Sequence, residues 1–165
     1  MTPTEIAAAY DRNADTLYRV ALSHLQNRED AEDAVQDAFA KYITAAPRFA
    51  DEEQERAWLI RVTVNRSLDL LRKRKHRGYV PLEEIEETVA KDSGEGSDAA
   101  EGIMDTLAKI PEKHRAAIVL HHLEGCSVEQ TARALGISVS AVKMRLSRGR
   151  EALKELLQEG KRHVH

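Results

Sequence analysis

Residues 127–153 read SVEQTARALGISVSAVKMRLSRGREAL, and the pattern of this segment predicts the structure of the C-terminal part of the chain. Ser127, with a glutamine three residues later, has the pattern of a capping box that begins a helix. Gly136 ends that helix, because glycine tolerates the left-handed backbone found after a helix end. Ala132 allows a second helix to approach closely, and Val142 fills the gap between the two. The segment therefore predicts a helix-turn-helix.

The second helix of this motif has an apolar face and a polar face. At 100° per residue, the residues that share the inward face are Val139, Val142, Leu146, Gly149 and Leu153. The outward face and its flanks carry short polar and long basic groups, namely Ser140, Lys143, Met144, Arg145, Ser147 and Arg148. A helix in the major groove needs this arrangement. A basic surface helix without a DNA role is the alternative, and the combined pattern favours DNA binding.

The overall composition indicates small helical units. The chain has 165 residues, of which 42% are hydrophobic and only 4% aromatic, so its cores are expected to be thin. No stretch approaches the roughly 20 apolar residues needed to cross a bilayer, and the N-terminus lacks the pattern of a secretory signal. The single cysteine, Cys126, has no partner for an internal disulfide. These features predict a cytoplasmic protein.

Charge is segregated along the chain, although the formal net charge is only −3. Residues 1–40 carry an excess of acids, whereas residues 61–77 hold seven bases and one acid. The sequence becomes basic again after Ser138. Local charge, rather than net charge, therefore indicates nucleic-acid binding.

Helical periodicity dominates the whole chain. It predicts helices at residues 3–25, 29–46, 53–76, 101–109, 112–124, 128–135 and 139–158. Between the third and fourth helices the sequence is acidic, rich in glycine and poor in apolar residues, which is typical of a linker. We therefore expect an all-α protein of two small helical domains, residues 1–77 and 105–165, joined by a flexible acidic linker at residues 78–104.

The helix expected at 53–76 is also two-faced. Its apolar arc contains Leu59, Ile60, Val64, Ser67, Leu68, Leu70 and Leu71. Its other face contains Arg61, Asn65, Arg66, Asp69, Arg72 and Lys73, with Trp58 and Val62 among them. An aromatic ring among cations suits stacking on bases of single-stranded DNA, and an anchor in the core is the equal alternative for Trp58. Asp69 is interpreted as orienting a neighbouring arginine.

The helix expected at 29–46 carries Asp30, Asp33 and Asp37 on one side. Three interpretations compete: a magnesium-dependent nuclease site, a solvated face, and a protein-binding surface to which Gln36 adds hydrogen bonds. Metal catalysis is disfavoured because one helix supplies all the carboxylates. A zinc site lacks a suitably spaced fourth ligand beside the candidates His121, His122 and Cys126. No catalytic motif is present, so we expect neither enzymatic activity nor a cofactor.

Three segments resemble hallmark parts of the extracytoplasmic-function sigma factors of the sigma-70 family. They are REDAEDAVQDAF at 28–39, ERAWLIRVTVNRSLDLLRKRK at 55–75, and IPEKHRAAIVLHHLEGCSVEQTARALGISVSAVKMRLSRGREAL at 110–153. In order, they are similar to the core-binding helix of the region-two domain, its minus-ten helix, and the region-four domain. A helix-turn-helix alone is shared by many regulators, whereas the three segments in this order are specific.

The resemblance implies an alternative sigma factor that directs bacterial RNA polymerase core to promoters by minus-thirty-five recognition and minus-ten melting. The implied polymerase-binding residues are Asp30, Asp33, Val35, Gln36 and Asp37. The implied minus-ten residues are Phe49, which would stack on a flipped base, and Arg61, Asn65, Asp69, Arg72 and Lys73. Trp58 joins this predicted set because of its aromatic ring among cations. Lys143, Met144, Ser147 and Arg148 match the positions that read the minus-thirty-five element. Met144 stands where the family more often has a small polar residue.

The implied partners are promoter DNA and the polymerase core, through its β′ clamp helices and β flap, with an anti-sigma factor as a further candidate. We expect a monomer that does not engage a membrane. The main alternative is a stand-alone helix-turn-helix regulator, which would bind a palindromic operator as a dimer. A metal-dependent nuclease or recombinase is a third hypothesis.

Overall fold

The computed structural model describes residues 1–76 and 98–163, and all regular structure in these ranges is helical. The α-helices are α1 (Pro3–Leu25), α2 (Arg28–Ala45), α3 (Glu52–His76), α4 (Asp98–Ala108), α5 (Glu112–Ile118), α6 (Val128–Leu135) and α7 (Val139–His163). The predicted all-α fold is confirmed. Most of the predicted linker, 78–97, lies outside the described residues, and α4 begins within the remainder of its range.

Helices α1, α2 and α3 form a bundle at the N-terminal end. Their apolar faces meet around Leu17, Val20, Leu59 and Ile60, all of which are fully buried or nearly so. The carboxylate of Glu55, which is 8% exposed, ties the three helices together. It accepts hydrogen bonds from Arg12 Nη2 (2.8 Å), Asn13 Nδ2 (3.2 Å) and the Tyr42 hydroxyl (3.0 Å). A buried carboxylate is tolerated here because its oxygens are satisfied by donors on α1 and α2.

The helix-turn-helix forms as its sequence predicts. Ser127 Oγ accepts from the backbone N–H of Gln130 (3.0 Å), and the Gln130 side chain accepts from the Ser127 N–H (2.8 Å). Gly136 follows α6 with a left-handed backbone (φ 69°, ψ 36°). Val142 is fully buried, and Leu146 is 3% exposed. The capping box, the turn and the inward face of α7 are thus confirmed.

One predicted helix is divided in the structure. Residues 112–124 were expected to form a single helix, but the α-helix ends at Ile118 and a π-helical turn follows at Val119–Leu123. The N–H of Glu124 reaches back to Val119 O (3.0 Å), and the N–H of Cys126 reaches Leu120 O (2.9 Å). These wider turns bring the chain from α5 to the start of the helix-turn-helix.

The two helical units pack against each other. Helix α6 lies on α3, and α1 contacts both α4 and α5. One buried apolar cluster runs through both units and includes Ile60 from α3 together with Ala134 from α6. The described chain is therefore a closed arrangement of two units, a point that the sequence does not address.

Candidate nucleic-acid and polymerase-binding surfaces

The outward side of α7 is open to solvent. We call its five exposed residues the recognition face: Ser140, Lys143, Met144, Ser147 and Arg148. The Met144 side chain is the most conspicuous of them, because the residue is 56% exposed although it is apolar. Arg145 is half-buried at the edge of this face. The structure thus brings the residues predicted to read the minus-thirty-five element onto one accessible surface.

The inward side of α7 packs closely against α5, and this packing fixes the position of the recognition face. A Cβ atom on the buried Gly149 would lie 2.7 Å from Ile118 Cγ1, so only glycine lets α7 approach α5 this closely. His114 lies at the same contact, and its pKa is lowered by burial and by the nearby cations Lys113, Arg148 and Arg145. Burial is the larger cause of the lowered pKa, and the three cations add to it; these cations lie beside the recognition face, where positive charge suits phosphate binding.

The outward side of α3 is exposed over most of its length. We call its exposed residues the α3 polar face: Arg61, Asn65, Asp69, Arg72 and Lys73. Asp69 lies between two arginines, at 3.9 Å from Arg66 Nη1 and 3.6 Å from Arg72 Nη2. This position agrees with the interpretation of Asp69 as a residue that orients neighbouring arginines.

Arg61 differs from the rest of the α3 polar face because α6 engages it. Its guanidinium donates a hydrogen bond to the backbone oxygen of Arg133. The guanidinium also lies against Gly136, where an added Cβ would be 3.4 Å from Arg61 Nε. Nothing in the local sequence around Arg61 signals this contact, because its partners follow some 70 residues later along the chain.

The two aromatic residues predicted to meet the minus-ten strand belong to one ring cluster with Tyr42. The Phe49 ring stacks on Tyr42 with centroids 6.3 Å apart, and the Trp58 ring meets both at 6.0–6.1 Å in edge-on geometry. Both Phe49 and Trp58 are half-buried and pack against the core. Trp58 therefore anchors α3 in the bundle, and each ring keeps part of its surface accessible.

The acidic side of α2 is partly neutralised by α3. Asp37 accepts a hydrogen bond from Arg66 Nε at 2.6 Å, and Asp30 forms an ion pair with Arg74. Asp33, which lies between them, and Gln36 are exposed. The three carboxylates therefore differ in their surroundings: Asp33 is directed to solvent, whereas Asp30 and Asp37 are paired with arginines.

Val35 requires a correction to the predicted polymerase-binding set. Its side chain is only 5% exposed and packs in the core of the bundle with Leu17 and Phe39. A residue buried on the inner side of α2 holds the helix in place and does not offer a contact to another protein. Of the predicted set, the residues that reach the surface of α2 are the polar ones, Asp30, Asp33, Gln36 and Asp37.

The histidines before the helix-turn-helix make local contacts in the segment that connects α5 to α6. His121 Nδ1 lies 2.8 Å from the backbone oxygen of Cys126, and the His121 and His122 rings meet edge-on at 4.9 Å. Across residues 1–76 and 98–163, no three side chains of the metal-binding types converge. The α2 carboxylates, which the nuclease hypothesis needs as metal ligands, are partnered by arginines at two of three positions.

Comparison with known families matches both units. Residues 9–77 match the family described as Sigma-70 region 2, and residues 100–153 match Sigma-70, region 4. A relative, the ECF RNA polymerase sigma factor SigM of Mycobacterium tuberculosis, is 34% identical over 148 residues, covering 90% of this chain and 74% of its own. The ECF RNA polymerase sigma factor SigW of Bacillus subtilis is 28% identical, covering 88% and 84%.

Solved structures share the fold. CnrH, in complex with the cytosolic domain of CnrY, superposes with a TM-score of 0.70 at 28% identity and covers 96% of this chain and 90% of its own. The sigma factor RpoE of Bartonella quintana, in complex with the anti-sigma factor NepR, gives a TM-score of 0.68 at 24% identity, with coverages of 94% and 95%. The second likeness concerns the fold alone.

The fold and the exposed recognition face define a two-unit, all-helical DNA-binding protein. With the matches above, the chain belongs to the extracytoplasmic-function sigma factors of the sigma-70 family. It is an alternative sigma factor that directs RNA polymerase to promoters, and the stand-alone regulator is the less supported hypothesis. Among the helices in the described part of the chain, none is both long and apolar enough to span a bilayer.

Proposed function

We propose that the chain initiates transcription through three surfaces with separate tasks. The polar side of α2 binds the β′ clamp helices of the polymerase core, the α3 polar face binds the melted minus-ten strand, and the recognition face binds the minus-thirty-five duplex. Residues 1–77 carry the first two tasks. Residues 78–104 form the tether, and residues 105–165 carry the third task and contact the β flap.

The observation that carries this proposal is the recognition face itself. It stands on a buried support, with Val142 fully buried and Gly149 closely packed, so its side chains leave a rigid helix. Lys143 and Arg148 can donate to guanine edges or phosphates, and Ser147 to either kind of acceptor. Met144 offers an apolar group for contact with a thymine methyl. The face thus offers both polar and apolar groups for contact with base edges in the major groove.

The two surfaces of the N-terminal bundle suit different partners. Asp33 and Gln36 on α2 are exposed and can bind a basic or hydrogen-bonding protein surface. Asn65, Arg72 and Lys73 on α3 are exposed and can bind a melted strand through its phosphates and base edges. Phe49 and Trp58, whose rings are partly accessible, lie beside this face and can add stacking.

Tethering explains how modest contacts become a specific complex. When both units are attached to one polymerase, binding of one DNA element raises the effective concentration of the other unit at its own element. We therefore expect the isolated chain, a monomer, to bind promoter DNA weakly and with a strong dependence on salt concentration. The chain acts by binding, without catalysis or a cofactor, in the cytoplasm where polymerase and DNA are found.

A protein regulator fits the same scheme. The structure of CnrH, to which this chain is similar, is a complex with the cytosolic domain of CnrY. We infer that this chain also has a protein partner of the anti-sigma type. Such a partner would act by competing for the polymerase-binding or DNA-binding surfaces described above.

Run-off transcription with purified bacterial core polymerase on fragments of the source genome tests the proposed function. We expect discrete transcripts that require the chain. Asp33→Ala is expected to weaken core binding about tenfold through the loss of a charged contact, whereas the control Glu32→Ala, on the same exposed stretch of α2, leaves it within twofold. Absence of both transcripts and a complex with core would contradict the proposal.

A further inference from the structure

The recognition face carries one large apolar side chain on the line of α7 that lies furthest from the body of the unit. The buried side of α7 is formed by Val142, Leu146 and Gly149. At 100° per residue, Met144 lies about 170° around the helix from the middle of that side, whereas Ser147 lies roughly 130° from it. Met144 is therefore the residue of the recognition face that is directed most squarely towards a bound duplex.

The surroundings of Met144 on the helix surface are polar. Met144 is 56% exposed, and its outward neighbours three or four positions away, Ser140, Ser147 and Arg148, are exposed as well. Within the described chain, the other exposed large apolar residue of α7 is Leu157, about 20 Å further along the helix axis. Met144 is thus not part of a contiguous apolar patch of the kind that binds another protein.

The chemistry of base edges decides what such a side chain can read. In the major groove the bases present hydrogen-bond donors and acceptors, together with one methyl group, at C5 of thymine. A methionine placed over a donor or acceptor displaces water from it and supplies no strong hydrogen bond in return. Placed over thymine, the same flexible thioether chain covers the methyl group. Met144 therefore favours thymine by apolar contact and disfavours other bases by desolvation.

Helix geometry gives the place of this thymine relative to a second contact. Met144 and Arg148 are four residues apart, which is about 6 Å along the axis of α7. Successive base pairs are about 3.4 Å apart, so the two side chains reach base pairs separated by about two steps. An arginine in the major groove is best matched by O6 and N7 of guanine. We therefore expect the thymine, on either strand, within about two base pairs of a guanine.

We propose that Met144 is a specificity-determining residue, which makes the chain select thymine by its methyl group at one position of the minus-thirty-five element. This preference rests on the proposed function, because it is a property of the contact between the recognition face and duplex DNA. It adds the identity of one base and the residue that selects it. A small polar residue in place of Met144 could bond to base edges but could not cover the methyl group.

A selection experiment identifies the base pairs that α7 reads. Holoenzyme made from bacterial core polymerase and the full chain selects promoters from a library in which the minus-thirty-five region is random. The guanine read by Arg148 is the one whose replacement no longer weakens binding in Arg148→Ala. We expect a selected A·T pair within about two base pairs of that guanine.

Replacing the selected thymine by uracil then removes the methyl group and nothing else. We expect the wild-type holoenzyme to bind the uracil duplex about fourfold more weakly, which corresponds to ~0.8 kcal/mol. Met144→Ala and Met144→Ser should bind both duplexes equally, because no apolar side chain remains to cover the methyl group. Met144→Leu should keep most of the difference, since it keeps an apolar side chain of similar volume.

Leu157→Ala is the matched control, because it removes an exposed apolar side chain from the same helix outside the recognition face. This variant should keep the full fourfold ratio between the thymine and uracil duplexes. The ratio is measured for each variant on its own, so a change in binding to core polymerase cancels. Circular dichroism checks that every variant keeps its helical content.

Three results would overturn the assignment of Met144. The first is equal wild-type affinity for thymine and uracil at every thymine of the selected element. The second is a full thymine preference in Met144→Ala, because another residue would then read the methyl group. The third is a selected element without an A·T pair near the guanine read by Arg148. Failure of the proposed function gives a different pattern, in which the chain forms no complex with core, no sequence is selected and the assignment falls with it.

Discussion

Helices α3 and α7 have the same length, 25 residues, and each carries a basic outer face. The two faces differ in how many of their charged side chains have partners within the chain. On α3, Arg61 is bound by α6, Arg66 pairs with Asp37, and Asp69 sits between two arginines. On α7, Lys143 and the other residues of the recognition face are exposed and, within the described chain, enter no salt bridge.

This difference fits the two kinds of DNA that the helices are proposed to meet. A duplex offers a fixed groove before the protein arrives, so a rigid and ready face suits α7. A melted strand appears only after the polymerase has opened the duplex, so side chains on α3 can be held by internal partners until then.

The largest effect is expected at the buried guanidinium that supports the junction between the units. Arg115 donates to the backbone oxygens of Leu107 (2.8 Å), Ala108 (2.9 Å) and Ile110 (2.8 Å), besides its contact with His24. Arg115→Ala removes the side-chain donor from all of these carbonyl oxygens and should lower the free energy of unfolding by about 3–5 kcal/mol. A urea titration, monitored by circular dichroism, measures this change in the free energy of unfolding.

A matched control separates this effect from the loss of a positive charge. Lys109→Ala removes a cation from an exposed position close in sequence and should change the free energy of unfolding by less than about 0.5 kcal/mol. If Arg115→Ala were equally mild, the junction would not depend on the buried guanidinium, and the closed form would lose one of its main supports.

The recognition face gives the second prediction. Arg148→Ala should weaken binding of the polymerase complex to the minus-thirty-five duplex by about 1–3 kcal/mol, because a base-edge contact is lost. Arg150→Ala removes an exposed arginine at the edge of the same helix and should cost less than about 1 kcal/mol, with a shallower salt dependence. Fluorescence anisotropy at several salt concentrations compares the two. Equal losses for both variants would mean that α7 binds by charge alone.

The third prediction concerns the pH dependence of the junction. His24 is 2% exposed, neither of its ring nitrogens has a hydrogen-bond partner, and burial followed by the nearby Arg115 charge lowers its pKa from 6.5 to about 3. Below pH 6.5 the unfolded chain therefore binds a proton that the folded chain excludes. Stability is fully present above pH 6.5 and falls towards pH 3, by roughly 2 kcal/mol at pH 5.

Urea titrations at pH 7 and pH 5 check this dependence. His24→Leu keeps a similar volume without a titrating group, so its loss of stability over the same interval should be smaller than that of the wild type. A wild-type chain whose stability is unchanged between pH 7 and pH 5 would show that His24 is not excluded from solvent as described.

The smallest effect is expected from a comparison within the α3 polar face. Arg61→Ala removes a cation that can bind the DNA strand, which lowers the affinity for the strand. The same change also releases α6 from α3, which makes the α3 polar face more accessible and opposes that loss. Asn65→Ala removes a strand contact without touching α6 and should cost about 1 kcal/mol in binding of a single-stranded minus-ten oligonucleotide. Anisotropy with the free chain should therefore show a larger loss for Asn65→Ala than for Arg61→Ala. The reverse order would mean that α6 does not restrain Arg61.

Much of the local structure could be predicted because its causes are local. The capping box at Ser127 and the left-handed Gly136 are each determined by residues within a few positions, and the structure contains both. The helix bounds agree closely with the periodicity for the same reason. The exception is residues 112–124, where periodicity cannot distinguish a continued α-helix from the π-helical turn after Ile118.

The arrangement of the two units could not be predicted, because its causes are distant in sequence. Arg19 and Glu124 are 105 residues apart, and many other acids and bases offer equally plausible pairs. The same difficulty explains the error at Val35, since a family pattern indicates a helix but not the depth at which each of its residues lies. Burial depends on what packs against a helix, and that is a property of the assembled fold.

The distance between the two units before and after promoter binding shows whether each unit can occupy its own promoter element. Fluorescent labels at two exposed positions, Lys41→Cys on α2 and Glu151→Cys on α7, in a Cys126→Ser background, allow energy transfer to be read in both states. We predict high transfer in the free chain and a large decrease when core polymerase and promoter DNA are added. Equal transfer in the two states, with transcription intact, would contradict the proposal that the two units bind separate promoter elements.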